Sequence, residues 1–439
     1  MLILLQLFRL INFTKGSSAR TRTVASVAIL CSLTGCIKVS TSPQPTKSTQ
    51  SNPTPAVQPD ASKPKLLKGV NKPKLPADTA NKKLLEESWV IYRQQFIQED
   101  GRVIDYEASD RSTSEGQAYA MLRAVLIDDP DTFAITLDWA EKNLKRYDAK
   151  GKAVDQLWAW KWGKEQGKWG PIDKNFASDA DIDAVTALIL ASRRWNRPDY
   201  LDLAKIKLQD IWRVSTVAAP GGKRYLLPGP IEAFVPTPTT FYLNPSYFAP
   251  YAFRLFAQVD SKNNWLGLVE SSYQVLEKSS ETSSLGLPSD WIALDAKTGK
   301  FSAIPPGSNL ESVYSFDAYR VWWRVAWDAE FFNAPEADRY LRRATKSLQA
   351  QWSKTGRLPA RINLQGKPTV NYEATSQYAM LYPALRFLNP EMAGQQLEKK
   401  LLPRYKNGIW DDESAYYTQN LAWLGLLPPP AINPQLLKP

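Results

Sequence analysis

The chain has 439 residues, 44% of them hydrophobic, and its 16 Trp, 19 Tyr and 15 Phe suffice for a large core and exclude global disorder. It contains no histidine and only two cysteines, Cys31 and Cys36. That composition excludes histidine general bases, Ser-His-Asp and Cys-His catalysis, histidine-ligated metals and a disulfide framework, and leaves acid–base work to Asp, Glu, Tyr or Lys. The formal charge of +11 is local, because residues 1–81 carry +9 and the rest about +2, so the footprint of a nucleic-acid-binding surface is missing.

Lys15, Arg20 and Arg22 precede the apolar run Val24–Leu33, which ends in Leu33-Thr34-Gly35-Cys36. A basic start, a short apolar stretch and small residues describe an export signal, too short for a membrane-spanning helix. Leu-Thr-Gly-Cys also resembles the bacterial lipobox, which makes Cys36 the expected lipidation site and residues 1–36 the signal. The protein would then be exported and held by its lipid at a periplasmic or cell-surface membrane; an ordinary signal peptide is the alternative. Thr41–Pro76 is rich in Pro, Ser, Thr, Gln and Lys, and residues 37–81 read as an extended tether ahead of a folded domain at 82–439.

From Lys82 the pattern is helical. Leu84, Leu85, Trp89, Val90, Tyr92 and Phe96 mark a first helix, Ser114–Val125 a second and Phe133–Leu144 a third. A Gly/Lys-rich loop leads to the aromatic segment Trp158-Ala159-Trp160-Lys161-Trp162-Gly163. Next comes Ala177–Trp195, with Asp179, Asp181 and Asp183 at its head, Ser178 as its expected cap and an apolar body. Tyr200–Ile211 follows, then a Pro/Gly-rich loop over 219–245, and helical stretches begin near Ser246, Trp265, Glu311, Ala334, Glu373, Met392 and Glu413. About twelve helices of 11–18 residues with few alternating strands predict helical hairpins. With no exact repeat, they suit a closed double ring of six inner and six outer helices, with loops gathered round a groove at one end.

Three places carry candidate chemistry. In Ser114-Glu115-Gly116-Gln117, Ser114 is the expected cap, and a helical glycine costs about 1 kcal/mol relative to alanine. Gly116 therefore makes sense where something approaches the carboxylate closely. The second place is the acid-headed helix. The third is Tyr314-Ser315-Phe316-Asp317-Ala318-Tyr319-Arg320, where Asp317 and Arg320 share a helix face. Each place alone is explained as well by a helix dipole or a structural ion pair.

Taken together and in order, SEGQAYAM, AWKWG, ASDADIDAVTALILASRRW and YSFDAYRVWWR resemble glycoside hydrolase family 8, in particular its bacterial endoglucanases, including those associated with cellulose synthesis. Asn244–Phe248 and Tyr416–Ala422 look like further family blocks. The resemblance covers roughly residues 84–426 and implies an all-α (α/α)6 barrel that hydrolyses β-1,4-glucan with inversion and needs no metal or organic cofactor. It implies Glu115 as general acid, Asp317 as general base and Asp179 as the carboxylate holding the sugar at the cleavage point. It also implies Tyr247 and Arg320 as substrate-binding residues and Trp160 as a stacking platform; Asp181 is a further substrate-binding candidate, with a first-turn acid or a supporting partner as the alternative, and Asp183 is read as structural. Association with a cellulose synthase, and a barrel acting as a monomer, are further expectations. Ala120 and Trp322-Trp323 depart from the family's commoner residues, which bears on substrate choice.

Inverting hydrolysis asks for a protonated acid on one side of the bond and a carboxylate on the other, roughly 6.5–9.5 Å away to admit water. Burial or a neighbouring carboxylate such as Asp179 would hold the acid's proton near neutral pH. The alternatives are the same reaction on chitosan, xylan or mixed-linkage β-glucan, a non-catalytic glycan-binding barrel, and a lyase, for which the missing histidine is a handicap.

Overall fold

The computed structural model describes residues 67, 75, 76 and 79–438. The expected signal, with Cys36, and most of the expected tether lie outside them. The folded part reaches back beyond residue 82, because Leu75 is buried and its N–H donates to Glu86 Oε1 at 3.0 Å. Leu67 N–H likewise donates to the carbonyl of Ile97 at 3.1 Å.

Fourteen α-helices form among the described residues. The first seven are α1 (Lys82–Phe96), α2 (Ser114–Leu126), α3 (Pro130–Asn143), α4 (Ser178–Trp195), α5 (Pro198–Ser215), α6 (Ile231–Phe234) and α7 (Pro250–Val259). They are followed by α8 (Trp265–Glu281), α9 (Phe316–Phe332), α10 (Pro335–Ala344), α11 (Lys346–Thr355), α12 (Thr375–Leu388), α13 (Pro390–Gln396) and α14 (Tyr416–Leu426). Beyond the expected twelve, α6 is a single turn and α11 prolongs α10.

Six helices form a closed inner ring in the order α2, α4, α7, α9, α12, α14, with α14 returning to α2. An outer helix packs on each: α3 on α2, α5 on α4, α8 on α7, α10 on α9, α13 on α12 and α1 on α14. This is an (α/α)6 barrel. Sequence sets the layer. Outer α1 buries one stripe, Leu85, Ser88, Trp89, Tyr92, Arg93 and Phe96, at alternating steps of three and one. Inner α2 is buried at every position except Glu115, and α4 buries all of Ser178–Ala191. Each large apolar side chain so enclosed stabilises the fold by about 1.5–3 kcal/mol. Where α14 crosses α12 the backbones nearly touch: a Cβ on Gly425 would lie 2.0 Å from the carbonyl oxygen of Ala379.

Short hairpins line the barrel ends, where loops were expected. Lys161–Glu165 pairs antiparallel with Lys168–Asp173 through Gln166-Gly167, both at positive φ (49° and 81°), as a two-residue hairpin turn requires. Ser112–Thr113 pairs with Lys161–Trp162. The aromatic segment is thus the bend between strands Ala153–Trp158 and Lys161–Glu165, and the pairing sets Trp160 beside the start of α2.

Candidate active site

Three inner helices begin at one end of the barrel, and each presents a carboxylate at its second residue: Glu115 on α2, Asp179 on α4 and Asp317 on α9. The start of α2 is capped by Thr113, in extended backbone, whose Oγ1 accepts from Gly116 N–H at 3.0 Å. Ser114, the expected cap, is the first helical residue and donates its N–H to the carbonyl of Trp160 at 3.1 Å. Ser178 does not cap α4 either. Its Oγ donates to the Leu227 carbonyl at 2.7 Å and its N–H to that of Pro228 at 3.0 Å, tying the helix start to the loop that follows α5. Gly116 is closely surrounded, since a Cβ there would sit 3.3 Å from Thr113 Oγ1 and 3.4 Å from the Tyr416 ring.

Arg320 joins the three carboxylates. Its Nη1 donates to Asp179 Oδ2 at 2.7 Å and to Glu115 Oε2 at 2.9 Å, and its Nη2 to Asp317 Oδ1 at 2.7 Å. The guanidinium and Asp179 are enclosed, with side chains 2% and 3% exposed, whereas Glu115 and Asp317 keep 21% and 28% open to solvent. Thus two carboxylates face outward from one buried cation, and the third backs them. Tyr416 Oη donates to Glu115 Oε1 at 3.1 Å, and Asn244 Nδ2 to Asp317 Oδ2 at 3.2 Å. The Tyr247 ring lies 5.3 Å from the Arg320 guanidinium, and Lys161 and Arg111 approach the half-buried Trp160 ring at 5.5 and 6.0 Å.

One turn further into the barrel the pattern repeats. Asp183, four residues after Asp179, accepts two hydrogen bonds of 2.8 Å from Arg324, four residues after Arg320. The paired steps bolt α4 to α9 and fix the depth at which Arg320 sits. Asp181 goes elsewhere. It is fully buried, its Oδ1 accepts from Trp158 N–H at 3.2 Å, and the nearby charges are Lys207, Asp155 and Arg146. It holds the strand Ala153–Trp158 against α4, so the expectation of sugar contact does not suit its place: residues two apart on a helix point to different sides. Burial, offset in part by Lys207, pushes its carboxyl up to about 8.

The electrostatics of the outward pair follow from burial against one shared cation. Desolvation pushes Glu115 up to about 7; Arg320 opposes this, while the charges of Asp179 and Asp317 reinforce it. Desolvation also raises Asp317, again against Arg320 and the hydrogen bond from Asn244. Each helix start contributes partial positive charge, and at both groups the cost of burial outweighs it. Burial thus holds the Glu115 carboxyl toward its protonated form. Among the described residues no group of three or more His, Cys, Asp or Glu side chains is placed to hold a metal ion.

Sequence spacing pairs Arg320 with Asp317, but only the fold brings Glu115 and Asp179 to the same guanidinium. Asn244 and Tyr416 stand in segments that the sequence already marks, though nothing in their spacing assigns them to Asp317 and Glu115.

An (α/α)6 barrel with two solvent-reaching carboxyls and one buried carboxylate gathered on a single guanidinium has the layout of a glycoside hydrolase. The chain belongs to glycosyl hydrolases family 8, whose sequence profile matches residues 75–428. It is 37% identical over 244 residues to an endoglucanase of Xanthomonas axonopodis pv. citri (strain 306), a match covering 55% of this chain and 60% of that protein. It is 32% identical over 294 residues to an endoglucanase of Escherichia coli (strain K12), covering 65% of this chain and 75% of the other. Among solved structures, the endo-1,4-D-glucanase from Vibrio fischeri ES114 superposes with a TM-score of 0.66 at 29% identity, over 77% of this chain and 93% of that one.

Proposed function

We propose that the chain is an endo-acting hydrolase of β-1,4-glucan that inverts the anomeric centre, with Glu115 as general acid and Asp317 as general base. The observation that carries this reading is the Arg320 bridge. It gathers two solvent-reaching carboxyls on the two nitrogens of one planar fork, within reach of a single glycosidic bond, and the gap of roughly 6.5–9.5 Å that admits an attacking water is what inversion requires of this pair. Glu115, pushed up to about 7, supplies the proton to the leaving oxygen. Asp317, its Oδ1 held by Arg320 and its Oδ2 by Asn244, takes the proton of the water. Asp179, locked on the same guanidinium, holds the sugar between them, with Tyr247 below and Trp160 as a stacking wall. The relatives named endoglucanases support glucan as the polymer over chitosan or xylan.

Purified protein is expected to release new reducing ends from carboxymethyl-cellulose faster than from chitosan, xylan or lichenan, and Asp317→Asn to lose that activity. NMR of the first products should show the inverted anomer. Failure of the wild type on all four polymers sinks the hydrolase reading, and retained anomeric configuration sinks the water-gap mechanism.

The basic, apolar and Leu-Thr-Gly-Cys segments of residues 1–36 support a lipid anchor at Cys36, with the residues between it and the folded part as the tether that carries the barrel away from a membrane surface. Cys36→Ser is expected to move the protein from the membrane fraction to the soluble one. An unchanged distribution on fractionation would overturn the anchor.

A further inference from the structure

Helix α9 starts without a cap of its own. Ser315, at the cap position, makes no side-chain bond to the helix, although the N–H groups of the first turn need acceptors once they are buried. The acceptor comes from a separate loop. Asp290 Oδ1 accepts from Ala318 N–H at 2.8 Å and from Ser315 N–H at 3.1 Å, while Oδ2 accepts from the Ser315 hydroxyl. Asp290 N–H in turn donates to the carbonyl of Val313 at 2.7 Å, so the loop and the strand before α9 hold each other. Asp290 is 8% exposed.

The residue enclosed between the two ends of this clamp, Ser315 and Ala318, is Asp317 with its neighbour Phe316. A cap supplied by the residue itself would position only the backbone of its own turn. A cap supplied from the loop sets that turn relative to the rest of the barrel mouth, and with it the direction in which the Asp317 carboxylate points. We infer that Asp290 is a positioning residue for Asp317, acting through the first turn of α9, without itself touching substrate. The inference rests on the reading of Asp317 as the general base. The two carboxyls also sense each other: burial first, and then the charge of Asp317, push Asp290 up to about 7. The other ionisable groups facing Asp317 are Arg320 on α9, Asp179 on α4, Glu115 on α2, Tyr247 before α7 and Tyr417 on α14. None of them reaches the backbone N–H groups of this turn.

The test compares Asp290→Ala and Asp290→Asn in the full chain, assayed on carboxymethyl-cellulose at about pH 6 and well below their melting temperatures. Asparagine keeps an Oδ1 for both N–H groups, and the Ser315 hydroxyl can turn to accept from its amide. Alanine removes every acceptor. Since displacing a reacting group by about 1 Å can cost roughly 10²-fold, Asp290→Ala is expected to lower kcat by roughly 10–100-fold with little change in KM, and Asp290→Asn to restore kcat to within a few-fold of wild type. An Asp290→Ala protein that melts normally and keeps its kcat overturns the inference. So does an Asp290→Asn protein that is folded yet as slow as the alanine variant. Asp317→Asn, measured alongside, separates the two failures: if it stays active, the general-base reading falls whatever Asp290 does.

Discussion

Replacing Glu115 by glutamine is expected to lower kcat on β-glucan by roughly 10²–10⁴-fold, the range over which a positioned proton donor contributes. Glutamine preserves the size of the side chain and one acceptor, which Arg320 can use, while its amide can donate to the Tyr416 hydroxyl, so the fold and KM should change little. What disappears is the proton for the leaving oxygen. The pH profile makes the assignment specific. Burial holds the Glu115 carboxyl at about 7, above its ordinary value, so the wild type has its donor protonated below that pH and loses it as pH rises through it. The alkaline limb of the wild-type profile is therefore expected near pH 7 and should be absent from the residual activity of Glu115→Gln. The acidic limb reports Asp317, which must lose its proton and whose carboxyl is also raised. A substrate with an acidic phenol as leaving group needs less protonation, so its hydrolysis should suffer less from the substitution than that of cellulose. A variant with wild-type kcat, or one that keeps the alkaline limb, would remove Glu115 from the role.

The layer architecture and the three acid-headed helix starts were legible because they rest on local rules. Apolar residues at helical spacing make the helices, and an acid in the first turn satisfies the dipole. The caps were less legible. Thr113 caps α2 one residue earlier than Ser114, Ser178 serves a neighbouring loop, and α9 is capped from a position 25 residues upstream. Each outcome depends on which backbone is extended and which loop arrives, and neither is written in a window of ten residues. Asp181 is the instructive case. Its membership of the aspartate run suggests a shared task with Asp179, yet helical geometry alone turns residues two apart to different sides. The same geometry points to Asp183 as the residue below Asp179, where its partner Arg324 stands four after Arg320. The hairpin from 161 to 173 was missed because the eye goes to its tryptophans, although Gln166-Gly167 between two short runs is a turn signal.

The ladder of Asp179–Arg320 and Asp183–Arg324 makes Arg320 the most consequential single residue of the barrel end, and its removal separates charge from geometry. Arg320→Met leaves three carboxyls close together, one of them fully enclosed, without the cation that binds them all. Breaking a buried pair by removing one partner costs about 3–5 kcal/mol at neutral pH, and here the cost should depend on pH in a defined direction. Without Arg320 the folded-state carboxyls titrate above their unfolded values, so the native state binds more protons than the unfolded chain and stability falls as pH rises. The window opens near the ordinary carboxylate value, about 4, and extends up through the raised folded values. Arg320→Met should therefore melt only slightly below wild type at pH 4 and far below it at pH 8. Activity should be lost at every pH, because the proton that stabilises the variant is the one Asp317 must give up to act as a base. Arg320→Lys refines the test. An ammonium supplies the charge but is a compact donor, unable to span carboxylates as a planar fork does. It should recover much of the melting temperature at pH 8 while kcat stays low. If lysine restores both, charge alone is what the site requires. If the melting deficit of Arg320→Met is the same at pH 4 and pH 8, the three carboxyls are not held together by this cation.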